Sequence, residues 1–186
     1  MTSDLTWLAS TIPKSIGVHI VGTGLWSDDD ADIVFRTDAA LHLALAFVYA
    51  GKGFVYPIKA PPPSVKVDIF FLELMAIVSA IFHAASMENP PRRVLIFTDS
   101  LDSVQSFNSL SASESIHNGP LLAAADIILR SGIDIHVRFI EGKKNIRADM
   151  LSRLLLDDYS RLFPSDHVRL FSPPRDLLPA RWRECF

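Results

Sequence analysis

A mixed α/β fold, with a five-stranded sheet and helices on both faces, is the architecture this sequence predicts. Three observations carry the expectation. Three apolar, β-rich runs follow one another between residues 33 and 58 with only short breaks, as in an antiparallel meander. Beyond them, helical patterns alternate with two more apolar runs, VLIFT and IDIHVRFI, and such alternation builds parallel strands with helices packed on them. The 186 residues suffice for one domain with a full core and a short extension.

Residues 1–30 carry Trp7, Trp26, a GTG turn and the acidic run SDDDAD, and read as a helical lead-in followed by a solvated linker. The core begins at Ile33-Val34-Phe35, and LALAFVYA and FVYPI follow. Gly51-Lys52-Gly53 between these two suggests a three-residue hairpin turn, and Pro57, which has no N–H for a ladder, makes the second arm an edge strand. APPPS at 60–64 breaks the chain before a long apolar helix from about Val67 to Met87. After the VLIFT strand, Asp99 or Ser100 can cap a helix carrying Leu101, Val104 and Phe107 on one side. Pro120 just inside a start and Gly132 just past an end bracket another helix. In IDIHVRFI, residues Ile133, Ile135, Val137 and Phe139 alternate, as in a half-buried strand, and Asn145 is placed to cap NIRADMLSRLLL. The expected order is βββ-α-β-α-α-β-α, over a domain spanning residues 31–156. Residues 157–186 are too rich in proline for a second domain and are expected to cross the surface, anchored by Phe163, Phe171 or Trp182.

Bulk composition narrows the function classes. A net charge of −3 gives no global attraction to nucleic acid, so any such binding needs a local basic patch. The single cysteine, Cys185, excludes an internal disulfide and fits a reducing intracellular compartment, cytoplasmic or nuclear; its position does not match a prenylation box. The N-terminus has no basic region ahead of a long apolar run, unlike a signal peptide. Ile69–Met87 approaches membrane-spanning length, but Glu73 and His83 lie within it, and a helix buried against a sheet explains the composition at lower cost.

Four acids stand in four informative places. Asp38 and Asp99 each end an apolar run, Glu73 is the only charge in IFFLELMAIVSAIFHAA, and Asp149 lies near a helix start. Open α/β sheets bind ligands outside the carboxyl ends of parallel strands, where Asp38 and Asp99 fall. Glu73 would be costly to bury ionised without a counter-charge, so it is either neutral, paired to an arginine, or shares a cation with the other acids. Carboxylates without neighbouring His or Cys suit Mg²⁺ or Mn²⁺, and two such ions about 3.5–4 Å apart clamp both oxygens of a phosphoryl displacement. Four converging acids also predict raised pKa values through like-charge repulsion.

The segments TDA (37–39), LEL (72–74), TDS (98–100) and NIRADMLSR (145–153) resemble, in order and spacing, the four motifs of ribonuclease H domains of the retroelement type, the last being similar to the N-x-x-A-D-x-L-S-R segment of retrotransposon reverse transcriptases. The resemblance runs from about Asp32 to Leu154, and the lead-in DLTWLASTIP looks like the connection that precedes such domains. It implies a ribonuclease H-like fold and hydrolysis of the RNA strand of an RNA–DNA hybrid, leaving a 3′-hydroxyl and a 5′-phosphate. It also implies two Mg²⁺ ions, with Mn²⁺ as substitute: Asp38 bridging both, Glu73 and Asp99 completing one, Asp149 holding the other. A-form shape and the 2′-hydroxyl would mark the substrate. A reverse transcriptase domain is the implied partner.

Three departures stand against that pattern. Ala39-Ala40-Leu41-His42 replaces the Ser and Gly residues many members carry after the first Asp, Ser100 stands where TDN is frequent, and Glu141–Asn145 lacks the His many members place before the final Asp. Retrotransposon relatives often lack that His as well. His42 and His136 are expected as a turn residue and an exposed strand residue. Lys143, Lys144 and Arg147, with Arg153, form the basic cluster nearest a motif; they are either phosphate contacts, together with Ser100 and Asn145, or a solvated helix start. The rival to a nuclease is a decayed or domesticated module that binds nucleic acid or a polymerase without cutting. An integrase-like DNA nuclease is a third reading, against which the LSR segment stands.

Overall fold

The computed structural model describes residues 2–14, 26–59, 67–112, 114 and 116–174. After the lead-in helix α1 (Thr2–Thr11), strands β1 (Ile33–Ala40), β2 (Ala44–Tyr49) and β3 (Lys52–Pro57) form the meander. Helix α2 (Ile69–Ala85), strand β4 (Arg93–Thr98), helices α3 (Leu101–Ser109) and α4 (Asn118–Ser131), strand β5 (Asp134–Phe139) and helix α5 (Ile146–Ser152) follow in the order the sequence predicts. Helix α6 (Leu156–Leu162) and strand β6 (His167–Leu170) come after it. The sheet has six strands rather than five, in the order β5-β4-β1-β2-β3-β6, with β1–β3 antiparallel and β4, β5 and β6 joined in parallel.

The alternation of β2 sets the two layers. Leu45 and Phe47 face a core shared with α2, α3 and α4, whereas Ala46 and Val48 face Ala148, Met150 and Leu151 of α5 and Tyr159 of α6. Small residues on the second face let the short α5 lie close to the sheet. Helix α2 is buried along most of its length because it is wedged between the sheet and α4; Asp68 caps it, accepting from the Phe71 amide at 2.8 Å. Its His83 lies among aromatic side chains and meets the Tyr49 hydroxyl at 3.0 Å. No helix among the described residues is long and apolar enough to cross a membrane.

Several local expectations are corrected. The β2–β3 turn consists of Ala50 and Gly51, with φ of 45° and 70°, and Lys52 already pairs with Tyr49. Two successive positive φ values give the turn whose twist matches a tight hairpin. The β3 strand is not an edge, because β6 pairs with Lys52–Val55; Pro57 sits beyond that ladder and so costs it no hydrogen bond. The segment after residue 156 therefore extends the sheet instead of only crossing the surface. Phe163 packs on Tyr159 and Phe171 on Phe47, with ring centroids 5.1 and 4.9 Å apart. Helix α4 starts at Asn118, two residues before Pro120. Trp182, Cys185, the GTG turn and the APPPS break lie outside the described residues.

Candidate metal and catalytic site

The register of β1 against β4 places the first two acids. The parallel ladder ends at the pair Arg36 and Phe97, and Asp38 and Asp99 each stand two residues further on, at the carboxyl edge of neighbouring strands. Helix α2 approaches from one face of the sheet and brings Glu73, whose Oε1 accepts from the Ala39 amide at 3.3 Å. Helix α5 approaches from the other face with Asp149. One carboxylate oxygen from each of Asp38, Glu73 and Asp99 lies within 4.8 Å of the others. Asp149 stands outside this tight triad but lines the same open cleft of about 310 Å³, as do Ser100, Asp102, Ile69, Phe70 and Arg153.

Burial and charge work together on the inner acids. Desolvation first, then the neighbouring charges of Asp99 and Asp149, push Asp38 up to about 7, against an opposing hydrogen bond from Ser152. Glu73 is pushed up to about 9, again by burial first and then by Asp38 and Asp99; the Ala39 amide and the Thr98 hydroxyl act in the other direction. Like-charge repulsion contributes as the sequence predicts, but desolvation outweighs it.

The donor set fits a divalent cation. All donors are hard carboxylate oxygens, which suit Mg²⁺ or Mn²⁺. Glu73 Oε2 is buried without a hydrogen-bond partner, an arrangement that costs free energy unless something positive meets it. Among the described residues Asp38, Glu73 and Asp99 form the one cluster of this kind.

The NIRADMLSR segment distributes its polar residues over this edge. Asn145 occupies the cap position of α5, yet its side chain does not cap the helix; fully buried, its amide donates to the Thr37 carbonyl at 2.9 Å and ties α5 beside Asp38. Ser152 donates to Asp38 Oδ2, and Arg153 Nε lies 2.6 Å from Asp149 Oδ1. That contact, through its hydrogen bond and then its charge, pushes the Arg153 guanidinium further above its ordinary value and keeps it charged.

The other basic and polar candidates are dispersed. Lys143 and Lys144 are well exposed and share Glu141, at 2.8 and 3.7 Å. Arg147 turns away to Asp166 at 2.9 Å and lies 4.1 Å over the Phe163 ring. The Ser100 hydroxyl caps α3, accepting from the Ser103 amide at 3.3 Å. His42 is in a turn with φ of 63°, and His136 stacks on Trp26 with centroids 3.8 Å apart, so neither belongs to the cleft. Two neighbours of the acids are not singled out by sequence reasoning. Ser152 is visible in the LSR segment but without a partner, and Gly142, whose missing Cβ would lie 2.9 Å from Asp99 Oδ2, resembles an ordinary loop glycine.

The fold agrees with that of solved structures. The chain superposes on ribonuclease H1 from the halophilic archaeon Halobacterium salinarum NRC-1 with a TM-score of 0.51 and 16% identity, covering 68% of this chain and 98% of that one. The fold is ribonuclease H-like. The N-terminal ribonuclease H domain of rv2228c from Mycobacterium tuberculosis, solved as a fusion with maltose-binding protein, superposes with a TM-score of 0.50 and 9% identity, covering 72% of this chain and 99% of that one. No protein-family model and no curated protein matches the chain. At these identities the ribonuclease H likeness is one of fold.

Proposed function

We propose that this chain is a ribonuclease H of the retroelement type, a Mg²⁺-dependent endonuclease that hydrolyses the RNA strand of an RNA–DNA hybrid. The observation that carries the reading is the convergence of Asp38, Glu73, Asp99 and Asp149 on one open cleft at the carboxyl edge of a ribonuclease H-like sheet. The retroelement assignment rests on the Asn145–Arg153 segment.

Asp38, Glu73 and Asp99 would hold one metal ion, and Asp38 with Asp149 a second. When bound, Mg²⁺ supplies Lewis-acid activation of the attacking water and stabilises the charge on the departing 3′ oxygen. Water adds to phosphorus as the P–O3′ bond breaks, giving a 5′-phosphate and a 3′-hydroxyl. The chain itself keeps the carboxylates in place: Ala39 N–H on Glu73, Ser152 on Asp38, and Arg153 on Asp149. The open cleft leaves room for a backbone phosphate to approach. Contact with flanking phosphates falls to Lys143 and Lys144, because the Ser100 hydroxyl, the Asn145 amide and Arg147 are engaged within the fold. With a net charge of −3, grip on the hybrid is weak in isolation, and a reverse transcriptase domain is the proposed partner that strengthens it.

The test is cleavage of an RNA–DNA hybrid labelled on the RNA strand, beside duplex RNA, duplex DNA and each single strand. Cutting confined to the RNA of the hybrid, supported by Mg²⁺ or Mn²⁺ and stopped by EDTA, is the expected result. Binding without cleavage under every metal condition would turn the assignment toward a non-catalytic module.

A further inference from the structure

Ser152 ends α5 fully buried, and its hydroxyl reaches a different element, donating to Asp38 Oδ2 on β1. The Ser152 hydroxyl oxygen also lies 2.9 Å from the carbonyl oxygen of Asp149. A hydroxyl has one proton to give. The Asp149 carbonyl already accepts the Arg153 amide at 3.1 Å, so the hydroxyl proton is free to serve Asp38. The next residue, Arg153, takes Asp149 Oδ1. The end of one seven-residue helix thus addresses two acids from two elements.

We propose that Ser152 is a positioning residue for the metal site: by holding Oδ2 of Asp38 it stops the carboxylate rotating and presets the oxygen lone pairs left for a divalent cation. This role rests on the metal-dependent activity proposed above and adds a residue that touches neither metal nor substrate. Without the hydroxyl, Asp38 keeps its place on the strand but loses its orientation, and cation binding then has to fix it. The penalty therefore falls on metal affinity.

The whole chain, without substrate, is titrated calorimetrically with Mg²⁺ as wild type, Ser152→Ala and Ser152→Thr. Ser152→Ala should bind Mg²⁺ about tenfold more weakly, the lower end of what outer-sphere partners of metal ligands contribute. Ser152→Thr, which retains the hydroxyl, should recover most of that affinity. Raising Mg²⁺ to saturation should restore hybrid cleavage by Ser152→Ala. Wild-type Mg²⁺ affinity in Ser152→Ala, with or without a lowered melting temperature, would overturn the proposal and leave Ser152 a packing residue. A wild-type chain that bound no Mg²⁺ at all would overturn both this role and the proposed activity.

Discussion

Gly142 and Asp99 are in contact across the loop that precedes α5: a Cβ on Gly142 would stand 2.9 Å from Asp99 Oδ2. Nothing in the backbone of Gly142 demands glycine, since its φ is not positive. The residue is small because the carboxylate needs the space. Gly142→Ala should therefore fold normally, with stability unchanged or raised by up to about 1 kcal/mol through the unfolded chain. The displaced Asp99 carboxylate should weaken Mg²⁺ binding and slow cleavage together. Denaturant unfolding paired with Mg²⁺ titration checks this, and wild-type affinity in the variant would show that Asp99 has another place to go.

The inner acids give the metal-free protein a pH dependence of defined sign. Asp38 and Glu73 rise to about 7 and about 9 from ordinary values of 3.8 and 4.5. Between the ordinary and raised values the native state holds protons that the unfolded chain has lost, so stability falls as pH rises from about 4 toward 9. Glu73→Gln keeps the shape and removes one titration, so its melting temperature should overtake that of the wild type as pH rises. Added Mg²⁺ should flatten the wild-type curve by neutralising the charge that builds up on these buried acids. Melting curves at pH 5, 7 and 9, with and without Mg²⁺, read both effects, and a wild type that gained on Glu73→Gln with rising pH would contradict them.

Arg147 has a structural task. Asp166, nearly buried, accepts from both Arg147 Nε at 2.9 Å and the Tyr159 hydroxyl at 2.7 Å, and so binds α6 and the start of β6 to α5. Asp166→Ala leaves the hydroxyl of the buried Tyr159 without an acceptor and should cost about 1–3 kcal/mol. Arg147→Ala should cost less, since its side chain is about half exposed and the Tyr159 bond survives. Urea unfolding of the two single variants ranks them, and equal losses would indicate that the ion pair alone matters.

Lys143 and Lys144 are the opposite case. Both are exposed and paired only to the exposed Glu141, an arrangement that contributes little to stability. The double change to alanine should leave the unfolding curve in place and weaken hybrid binding. It should also reduce the log-affinity against log-salt slope by about 0.7–0.9 for each phosphate that a lysine no longer neutralises. An unchanged slope would leave the pair a solvated loop.

The site is more legible in the sequence than the periphery, and the reason is physical. Asp38 and Asp99 end strong apolar runs, and Glu73 is the lone charge in a long apolar helix, so each acid contrasts with its surroundings. Strand β6 has no such contrast: all four residues of HVRL are exposed, and its pairing with β3 depends on tertiary contacts rather than on periodicity. Gly53 misleads for the same reason. It suggests a turn, but a Cβ there would lie 2.7 Å from Leu151 Cδ1, so the glycine serves the packing of α5 on β3. Asn145 carries a true helix-start signal, yet its amide goes to Thr37, a partner 108 residues away that no local pattern announces.

If Asp38, Glu73, Asp99 and Asp149 hold the metal for cutting RNA in a hybrid, neutralising one of them must stop the cut without unfolding the chain. Wild type, Asp99→Asn and Glu73→Gln, each shown to be folded, are given the same RNA–DNA hybrid in Mg²⁺, and the ends of the RNA fragments are analysed. Wild type should give 5′-phosphate and 3′-hydroxyl ends, and neither variant should give any. Equal cleavage by all three, or no cleavage by the wild type when Mg²⁺ is bound, would contradict it.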